Sequence, residues 1–168
     1  MSKFVERIVR ELEQGGRFAQ ERLYMQHCET TVYQHSINVA EMSLKIARKF
    51  KIRVNKRSLV RAALLHDYFL YDWHIPDPNR AFHPNNHPKV ALRNALEDYE
   101  LNEVEQEAIL CHMFPIAAKI PRYRESWIVT AADKCCAVFE TCAPRAKAVS
   151  VKSYPVQNLV FHFLKKAI

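Results

Sequence analysis

The spacing of apolar residues along the 168-residue chain predicts a succession of amphipathic helices. In the clearest case, residues 32 to about 50, four side chains recur at intervals of four, three and four, so they share one helical face. They are His35, Val39, Met42 and Ile46. The hydroxyls of Thr30-Thr31 precede this helix and suit its N-cap. A histidine therefore occupies a face that is otherwise apolar.

Similar patterns predict helices before and after this one. They cover about residues 2–14, 55–66, 88–99, 102–113, 124–142 and 156–166, with a further helical turn or two at 18–25. Pro88 suits the first turn of its helix, and Asn102 with Glu105 resembles a capping box. The candidate core positions of the 124–142 helix are Trp127, Ile128, Ala131, Ala132, Cys135 and Phe139. We expect an all-α fold, a single-domain helical bundle of about six or seven helices over residues 1–168.

One segment departs from the helical pattern. Residues 71–88 contain four prolines and three histidines, which predicts a long ordered loop without regular structure. Its histidines are His74, His83 and His87. A loop of this length inside a compact domain is more often functional than idle, so these histidines are candidates for a site.

Composition excludes several classes of protein. Glycine occurs only at Gly15 and Gly16, and therefore the turn glycines of an all-β sandwich and the phosphate-loop glycines of a nucleotide fold are missing. The five cysteines are odd in number and form no CxxC pair, which argues against a disulfide framework and a zinc ribbon. We expect reduced thiols in a cytoplasmic protein.

The formal net charge of +7 suits anionic partners, namely a small phosphorylated substrate, nucleic acid or a membrane surface. We interpret the basic clusters at 48–57 and 165–166 as solvated surface in preference to a nucleic-acid groove, because no recognised binding motif accompanies them. The N-terminus is charged throughout, and no apolar run approaches the length of a membrane span, so we expect no signal peptide and no membrane contact. A homo-oligomer is compatible with the sequence, which leaves the oligomeric state open.

Several titratable residues lie on apolar helical faces or at apolar helix ends. They are His35, His66, Asp67, His112 and Asp133. Each has an ordinary explanation when taken alone: a single buried histidine is usually a satisfied core residue, and Asp133 has Arg61 as a candidate ion-pair partner. Together, on separate helices, they are the kind of set that helical bundles bring together as a metal site. The nitrogen and oxygen donors suit Fe, Mn, Zn, Co or Ni, or Mg with more water.

The order of these residues resembles the H…HD…D pattern of the HD superfamily, the metal-dependent phosphohydrolases. The similarity lies in "HSINVAEMSLKIA" from His35, in "ALLHD" ending at Asp67 and in "ADK" around Asp133, and it covers about residues 32–139. The resemblance implies that His35, His66, Asp67 and Asp133 bind a divalent metal, with Asp67 as the bridge if a second ion binds. His87 and His112 resemble the further histidines of binuclear members, and His83 competes with His87 for the loop position. One ion is expected, and a second would use these additional histidines.

The resemblance implies hydrolysis of a phosphate ester of a nucleotide or other small phosphorylated metabolite, through a metal-activated water. Asp67 would orient or deprotonate the water, and Asp72 is a second acid candidate that is otherwise read as an exposed aspartate. Arg80, Lys89 and Lys134 are candidates to hold the substrate phosphate, although each is also readable as an ordinary surface charge. The aromatic residues after Asp67 would wall a pocket or pack in the core.

The subfamily is not identified by the sequence. The guanosine-tetraphosphate hydrolases carry an HDxxED pattern, whereas Leu70 and Tyr71 occupy those two acidic places here. The GYP stretch of the cyclic-dinucleotide branch is also missing. Two alternatives therefore stay open: a catalytically inactive metal- or nucleotide-binding regulatory HD domain, and an RNA-associated module with salt-dependent binding.

Overall fold

The computed structural model describes residues 1–75 and 83–146 of the chain. The described part contains six α-helices, one 3-10 helix and one small hairpin, which confirms the all-α class. The α-helices are α1 (Lys3–Gly15), α2 (Val32–Lys49), α3 (Lys56–Leu65), α4 (His83–Asp98), α5 (Glu103–Cys111) and α6 (Arg124–Ala146). The 3-10 helix is Phe18–Leu23, and the strands are β1 (Met25–His27) and β2 (Thr30–Thr31). Arg80 and the predicted helix at about 156–166 lie outside the described residues.

Three helices begin at residues whose side chains cap them, and the sequence predicted the caps of α2 and α5. Thr31 accepts the backbone N–H of Gln34 at the start of α2, and Asn55 accepts two N–H groups at the start of α3. At α5 the capping box is complete, because Asn102 and Glu105 each accept the other's backbone N–H. Local chemistry therefore sets where these three helices begin.

Helix α2 lies at the centre of the bundle and packs against α3 and α6. Its apolar face is buried at Val39 and Ile46, and α3 is buried along nearly its whole length. Such a core brings the C-terminal end of α3 next to the first turns of α2 and the middle of α6. None of the helices in the described part of the chain combines the length and apolar character needed to span a bilayer.

The hairpin was not predicted. The helical turn expected at 18–25 is a 3-10 helix that ends at Leu23, and β1 begins two residues later. The strands pair antiparallel through a turn in which Cys28 has a positive φ of 50°. Two strands of three and two residues are too short to show the alternation by which strands are recognised in a sequence.

Helix α4 begins at His83, five residues before the predicted start at Pro88. The prediction was wrong because proline favours the first turn of a helix without being restricted to it. The φ angle of proline also fits the helix interior, where its missing N–H removes one backbone hydrogen bond. Residues 83–88, which the prediction assigned to the loop, are therefore helical.

The buried stripe of α6 also differs from the prediction. Ile128 and Ala132 are buried as expected, but Phe139 is 41% exposed. The remaining predicted core positions, Trp127, Ala131 and Cys135, are half-buried. The inward stripe instead runs through Val129, Asp133, Cys136 and Glu140 at intervals of four, three and four. Helical periodicity alone left several stripes open on this mostly apolar helix, and packing against α2 selected this one.

The turn that follows α3 is held by α4. Asn94 is buried and donates from Nδ2 to the carbonyls of Tyr68 at 3.0 Å and Phe69 at 3.1 Å. The hydroxyl of Tyr68 donates to Asp98, which also accepts from Arg17. The backbone after His66-Asp67 is therefore fixed by side chains from outside its own helix.

Candidate metal centre

A buried cluster of four imidazoles and two carboxylates lies where the helices meet. Its members are His35, His66, Asp67, His87, His112 and Asp133, and each is at most 6% exposed. His35 comes from the first turn of α2 and Asp133 from the middle of α6, whereas His66-Asp67 and His112 directly follow the last residues of α3 and α5. His87 projects from α4. These are the six residues predicted as metal ligands, and the structure brings all of them together.

Asp67 stands between two groups of histidines. Its Oδ2 lies 3.3 Å from His66 Nε2 and 3.9 Å from His35 Nε2. Its Oδ1 lies 3.2 Å from His87 Nε2 and 3.4 Å from His112 Nε2. The carboxylate therefore presents one oxygen to each of two separate pairs of imidazoles. We refer to these as the Oδ2 side and the Oδ1 side.

Asp133 belongs to the Oδ2 side. Its Oδ1 lies 3.2 Å from His35 Nε2 and 3.8 Å from His66 Nε2. Its other oxygen accepts from Lys134 Nζ at 2.7 Å, and the same ammonium donates to the His112 carbonyl at 3.0 Å. The alternative pairing of Asp133 with Arg61 is wrong, because Arg61 bonds Glu105 at 3.2 Å.

The histidines that end α3 and α5 are oriented in the same way. His66 Nδ1 donates to the Ala63 carbonyl at 2.8 Å, and His112 Nδ1 donates to the Ile109 carbonyl at 2.7 Å. A carbonyl only accepts, so the proton of each ring lies on Nδ1 and the neutral ring keeps its lone pair on Nε2. The arrangement aims the Nε2 atom of both rings at the cluster. In the metal-free protein burial acts to lower the pKa of His66, but Asp67 and Asp133 outweigh it and raise that pKa well above its usual range, so metal binding would displace the Nε2 proton of His66.

The residues of the cluster fit a divalent metal ion. His66 Nε2 and Asp67 Oδ1 are buried and have no hydrogen-bond partner, which is costly unless another group uses them. His87 Nε2 and His112 Nε2 approach to 2.8 Å. Donor atoms of His35, His66 and Asp67 lie within 4.8 Å of one another, and so do those of Asp67, His87 and His112. Imidazole nitrogen and carboxylate oxygen are the donors that such ions take.

Electrostatics keep the two carboxylates charged. Burial alone would raise the pKa of Asp67, but the charge and hydrogen bonds of the surrounding histidines outweigh it and hold that pKa well below its usual range. Burial likewise opposes ionisation of Asp133, and Lys134 and His35 reverse the effect, so its pKa also lies well below the ordinary value. Two buried negative charges are thus available at the centre.

The histidines respond in opposite directions. Burial lowers the pKa of His112 to about 4 despite its contact with Asp67, so its ring is neutral. Burial also disfavours the imidazolium of His35, but hydrogen bonds to Asp133 and Glu140 outweigh it and raise the pKa of His35 to about 9 in the metal-free protein. The difference follows from the number of carboxylates that each ring contacts.

Sequence reasoning missed a second layer of polar residues. Gln26, on β1, is buried and donates from Nε2 to Asp67 Oδ2 at 2.5 Å. Glu21 is fully buried, neither of its oxygens has a hydrogen-bond partner, and burial raises its pKa well above the usual range, so it is neutral. Glu140 bonds His35 at 2.7 Å. Only Glu140 left a signal in the sequence, because it follows Asp133 by two helical turns.

None of the remaining predicted site residues in the described part of the chain belongs to the buried cluster. The Asp72 carboxylate accepts the His74 backbone N–H at 2.9 Å and is 40% exposed. Lys89 is exposed and lines an open groove with Leu92, Arg93 and Leu110, to which no residue of the cluster contributes.

His87 rather than His83 is the histidine seen in the cluster, and the side chain of His83 lies outside the described part. Phe69 packs edge-on against His87.

Comparison with known proteins agrees with this arrangement. The family model of the HD domain matches residues 32–138, which is more than half of the chain and includes all six residues of the cluster. No curated protein and no solved structure matches the chain. HD domains are generally metal-dependent hydrolases, and the donor set found here is consistent with that chemistry. The chain belongs to the HD domain family.

Proposed function

We propose that the protein is a metal-dependent phosphohydrolase that hydrolyses a phosphate ester of a nucleotide or another small phosphorylated metabolite. The observation that carries the proposal is the position of Asp67, whose two oxygens face separate pairs of imidazoles in a buried cluster. Membership in the HD domain family supports it. The net charge of +7 favours an anionic substrate.

The cluster offers ligands for two ions. We propose that the Oδ2 side, with His35, His66 and Asp133, holds the first. The Oδ1 side, with His87 and His112, holds the second, and Asp67 is shared. A divalent ion in such a site supplies a water of lowered pKa and a Lewis acid for a phosphoryl oxygen.

The chain's own residues would divide the remaining work. A carboxylate whose pKa lies well below its usual range is a weak proton acceptor, so we propose that Asp67 orients and binds rather than acting as a general base. Asp72, whose carboxylate reaches solvent, is the proposed acid. Lys134 holds Asp133 and is the proposed phosphate contact nearest the cluster, with Lys89 and Arg80 as further candidates.

A substrate screen tests this proposal. Protein freed of metal and then supplied with Mn, Co, Ni or Mg is incubated with nucleotides, cyclic nucleotides and generic phosphoesters, and released phosphate or nucleoside is measured. We expect hydrolysis that requires metal and is lost in His66→Ala and Asp67→Ala. Glu103→Gln, an exposed carboxylate at the start of α5, is the matched control and should retain full activity.

The screen separates the proposal from its alternative. Metal bound by the wild type without turnover of any phosphoester, together with nucleotide binding, would identify a catalytically inactive regulatory HD domain instead. Hydrolysis that persists unchanged in both His66→Ala and Asp67→Ala would place the activity elsewhere and reject the cluster as its site.

A further inference from the structure

Glu140 is a half-buried carboxylate on α6 that takes no part in the six-residue cluster. It follows Asp133 by seven residues, which is two helical turns, and therefore lies on the same face of α6. The neighbouring Phe139 is 41% exposed, so the helix turns an apolar side chain to solvent and a charged one inward. Such an inversion calls for a partner that compensates the burial of the charge.

Both oxygens of Glu140 have partners on α2. Its Oε2 lies 2.7 Å from His35 Nδ1, and its Oε1 accepts the side-chain N–H of Asn38 at 2.8 Å. Asn38 is itself held, because its oxygen accepts from Gln34 Nε2 at 2.9 Å. Glu140 is thus fixed in one orientation by a chain of hydrogen bonds along the first turns of α2. Burial acts to raise the pKa of Glu140, but the hydrogen bond to His35 outweighs it and lowers that pKa below the usual value.

His35 is the cluster histidine that this carboxylate orients. The ring presents Nδ1 to Glu140 and Nε2 to Asp133 at 3.2 Å. An ionised carboxylate only accepts, so the Nδ1 proton points at Glu140, and loss of the other proton leaves the lone pair on Nε2, toward the Oδ2 side. His66 and His112 reach the same tautomer through backbone carbonyls of their own helices.

A separate metal site at Glu140 is a competing explanation, because donor atoms of His27, His35 and Glu140 lie within 4.8 Å of one another. The partners of Glu140 argue against it, because one of its oxygens bonds His35 and the other accepts from Asn38. The 2.7 Å between His35 Nδ1 and Glu140 Oε2 is that of a direct, charge-assisted hydrogen bond.

We propose that Glu140 is a positioning residue for metal binding: through His35 Nδ1 it fixes the tautomer and ring orientation that present His35 Nε2 to the Oδ2 side of the centre. A carboxylate behind a ligating imidazole also raises its basicity, and loss of such a partner typically weakens metal affinity by about 10- to 100-fold. The inference rests on the metal centre of the proposed function and is independent of which substrate is hydrolysed.

Metal affinity, rather than activity, tests the proposal. Dissociation constants for Mn²⁺ and Zn²⁺ are measured by competition with a chromophoric chelator in wild type, Glu140→Gln, Glu140→Leu and Glu125→Gln. Glu125 is the matched control, because it is a carboxylate of the same helix that accepts a tertiary hydrogen bond, from the Asn55 backbone N–H, far from the cluster. A second readout is the tautomer of His35 in metal-free protein at high pH, by nitrogen NMR of histidine-labelled samples.

We expect metal affinity about 10- to 100-fold weaker in Glu140→Leu, a smaller loss in Glu140→Gln, which keeps an acceptor oxygen, and no change in Glu125→Gln. The Nδ1–H tautomer of His35 should be dominant in wild type and diminished in Glu140→Leu. Wild-type affinity in Glu140→Leu, or an unchanged tautomer, overturns the proposal. Absence of phosphoester hydrolysis would reject the proposed function and leave this result standing, since no step of the measurement uses turnover.

Discussion

The two ends of a helix hold their cluster histidines differently in this protein. His66 and His112 directly follow the last residues of α3 and α5, and each donates to a carbonyl three residues earlier in its own helix. His35 lies in the first turn of α2, and its Nδ1 bonds Glu140, which is 105 residues away in the chain. The first arrangement is local, whereas the second depends on the packing of α6 against α2.

Backbone hydrogen bonding explains the contrast. The last four carbonyls of an α-helix have no partner within the helix, so an imidazole at the C-terminal end finds an acceptor in its own last turn. The carbonyls of a first turn are already bonded to N–H groups four residues later. A histidine in that position must take its orienting partner from another element, and here the partner carries a charge. The pKa values follow the carboxylates that each ring faces and not this division: the pKa of His112 is lowered, whereas those of His35 and His66 are raised.

Removal of Asp67 should have the largest effect, because its carboxylate is shared by both kinds of histidine. We expect Asp67→Asn to weaken metal affinity by more than the 100-fold that marks the loss of a supporting residue, and to lower phosphoester hydrolysis by about a thousandfold or more. Competition with a chelator and initial-rate assays measure the two quantities, with Glu103→Gln as control. Affinity within tenfold of wild type would show that Asp67 is not a shared ligand.

The pH dependence of stability should separate His35 from His112 in metal-free protein. The folded-state pKa of His35, about 9, lies above its unfolded value, so its contribution is fully present below about pH 6.5 and is lost as pH rises through 9. The shift corresponds to stabilisation on the order of 3 kcal/mol. Urea unfolding of wild type and His35→Asn from pH 5 to 10 should show a difference that shrinks over this window.

His112 should behave in the opposite sense. Its folded-state pKa of about 4 lies below the unfolded value, so the unfolded chain binds the extra proton first and stability falls as pH drops from about 6.5 toward 4. We expect His112→Asn to remove part of this acid sensitivity, whereas His35→Asn should not. Parallel pH profiles for the two variants would contradict the opposite effects of the surrounding carboxylates and of burial on the two rings.

The turn after α3, which follows His66 and Asp67, is supported by hydrogen bonds from α4 that Asn94→Ala would remove. Loss of the two hydrogen bonds from Asn94 to the carbonyls of Tyr68 and Phe69 should lower the free energy of unfolding by about 1–3 kcal/mol. Arg93→Ala, an exposed neighbour on α4, should change it by less than about 0.5 kcal/mol. Equal effects in chemical denaturation would mean that the turn after α3 is held by its own sequence.

Gln26→Leu should have the smallest effect. The amide donates to Asp67 Oδ2 from the hairpin, and its loss leaves every ligand in place while removing one supporting hydrogen bond. We expect metal affinity about tenfold weaker, at the lower end of the range for a supporting residue. The exposed neighbour Met25→Ala is the control in the same chelator competition. A loss comparable to that of Asp67→Asn would identify Gln26 as a ligand in its own right.

Features with a local cause were predictable from the sequence. The caps at Thr31 and Asn102 are read from residue type, because a side-chain oxygen at that position satisfies nearby N–H groups. The polar residues that end the apolar runs of α3 and α5 are recognised because charge on a buried face is costly unless it is used. The start of α4 was misplaced because Pro88 is compatible with both a first turn and a helix interior.

By itself, the sequence determined an all-α chain and, through the family that it resembles, the six residues that the structure brings together in the cluster. Only the tertiary structure decided which stripe of α6 faces α2. That choice exposes Phe139, places Glu140 behind His35 and sets Asp133 beside His35 Nε2. It also brought Gln26 to Asp67. The physical reason is range: capping and periodicity act within a few residues, whereas the partner of a buried charge is selected by helices that pack together.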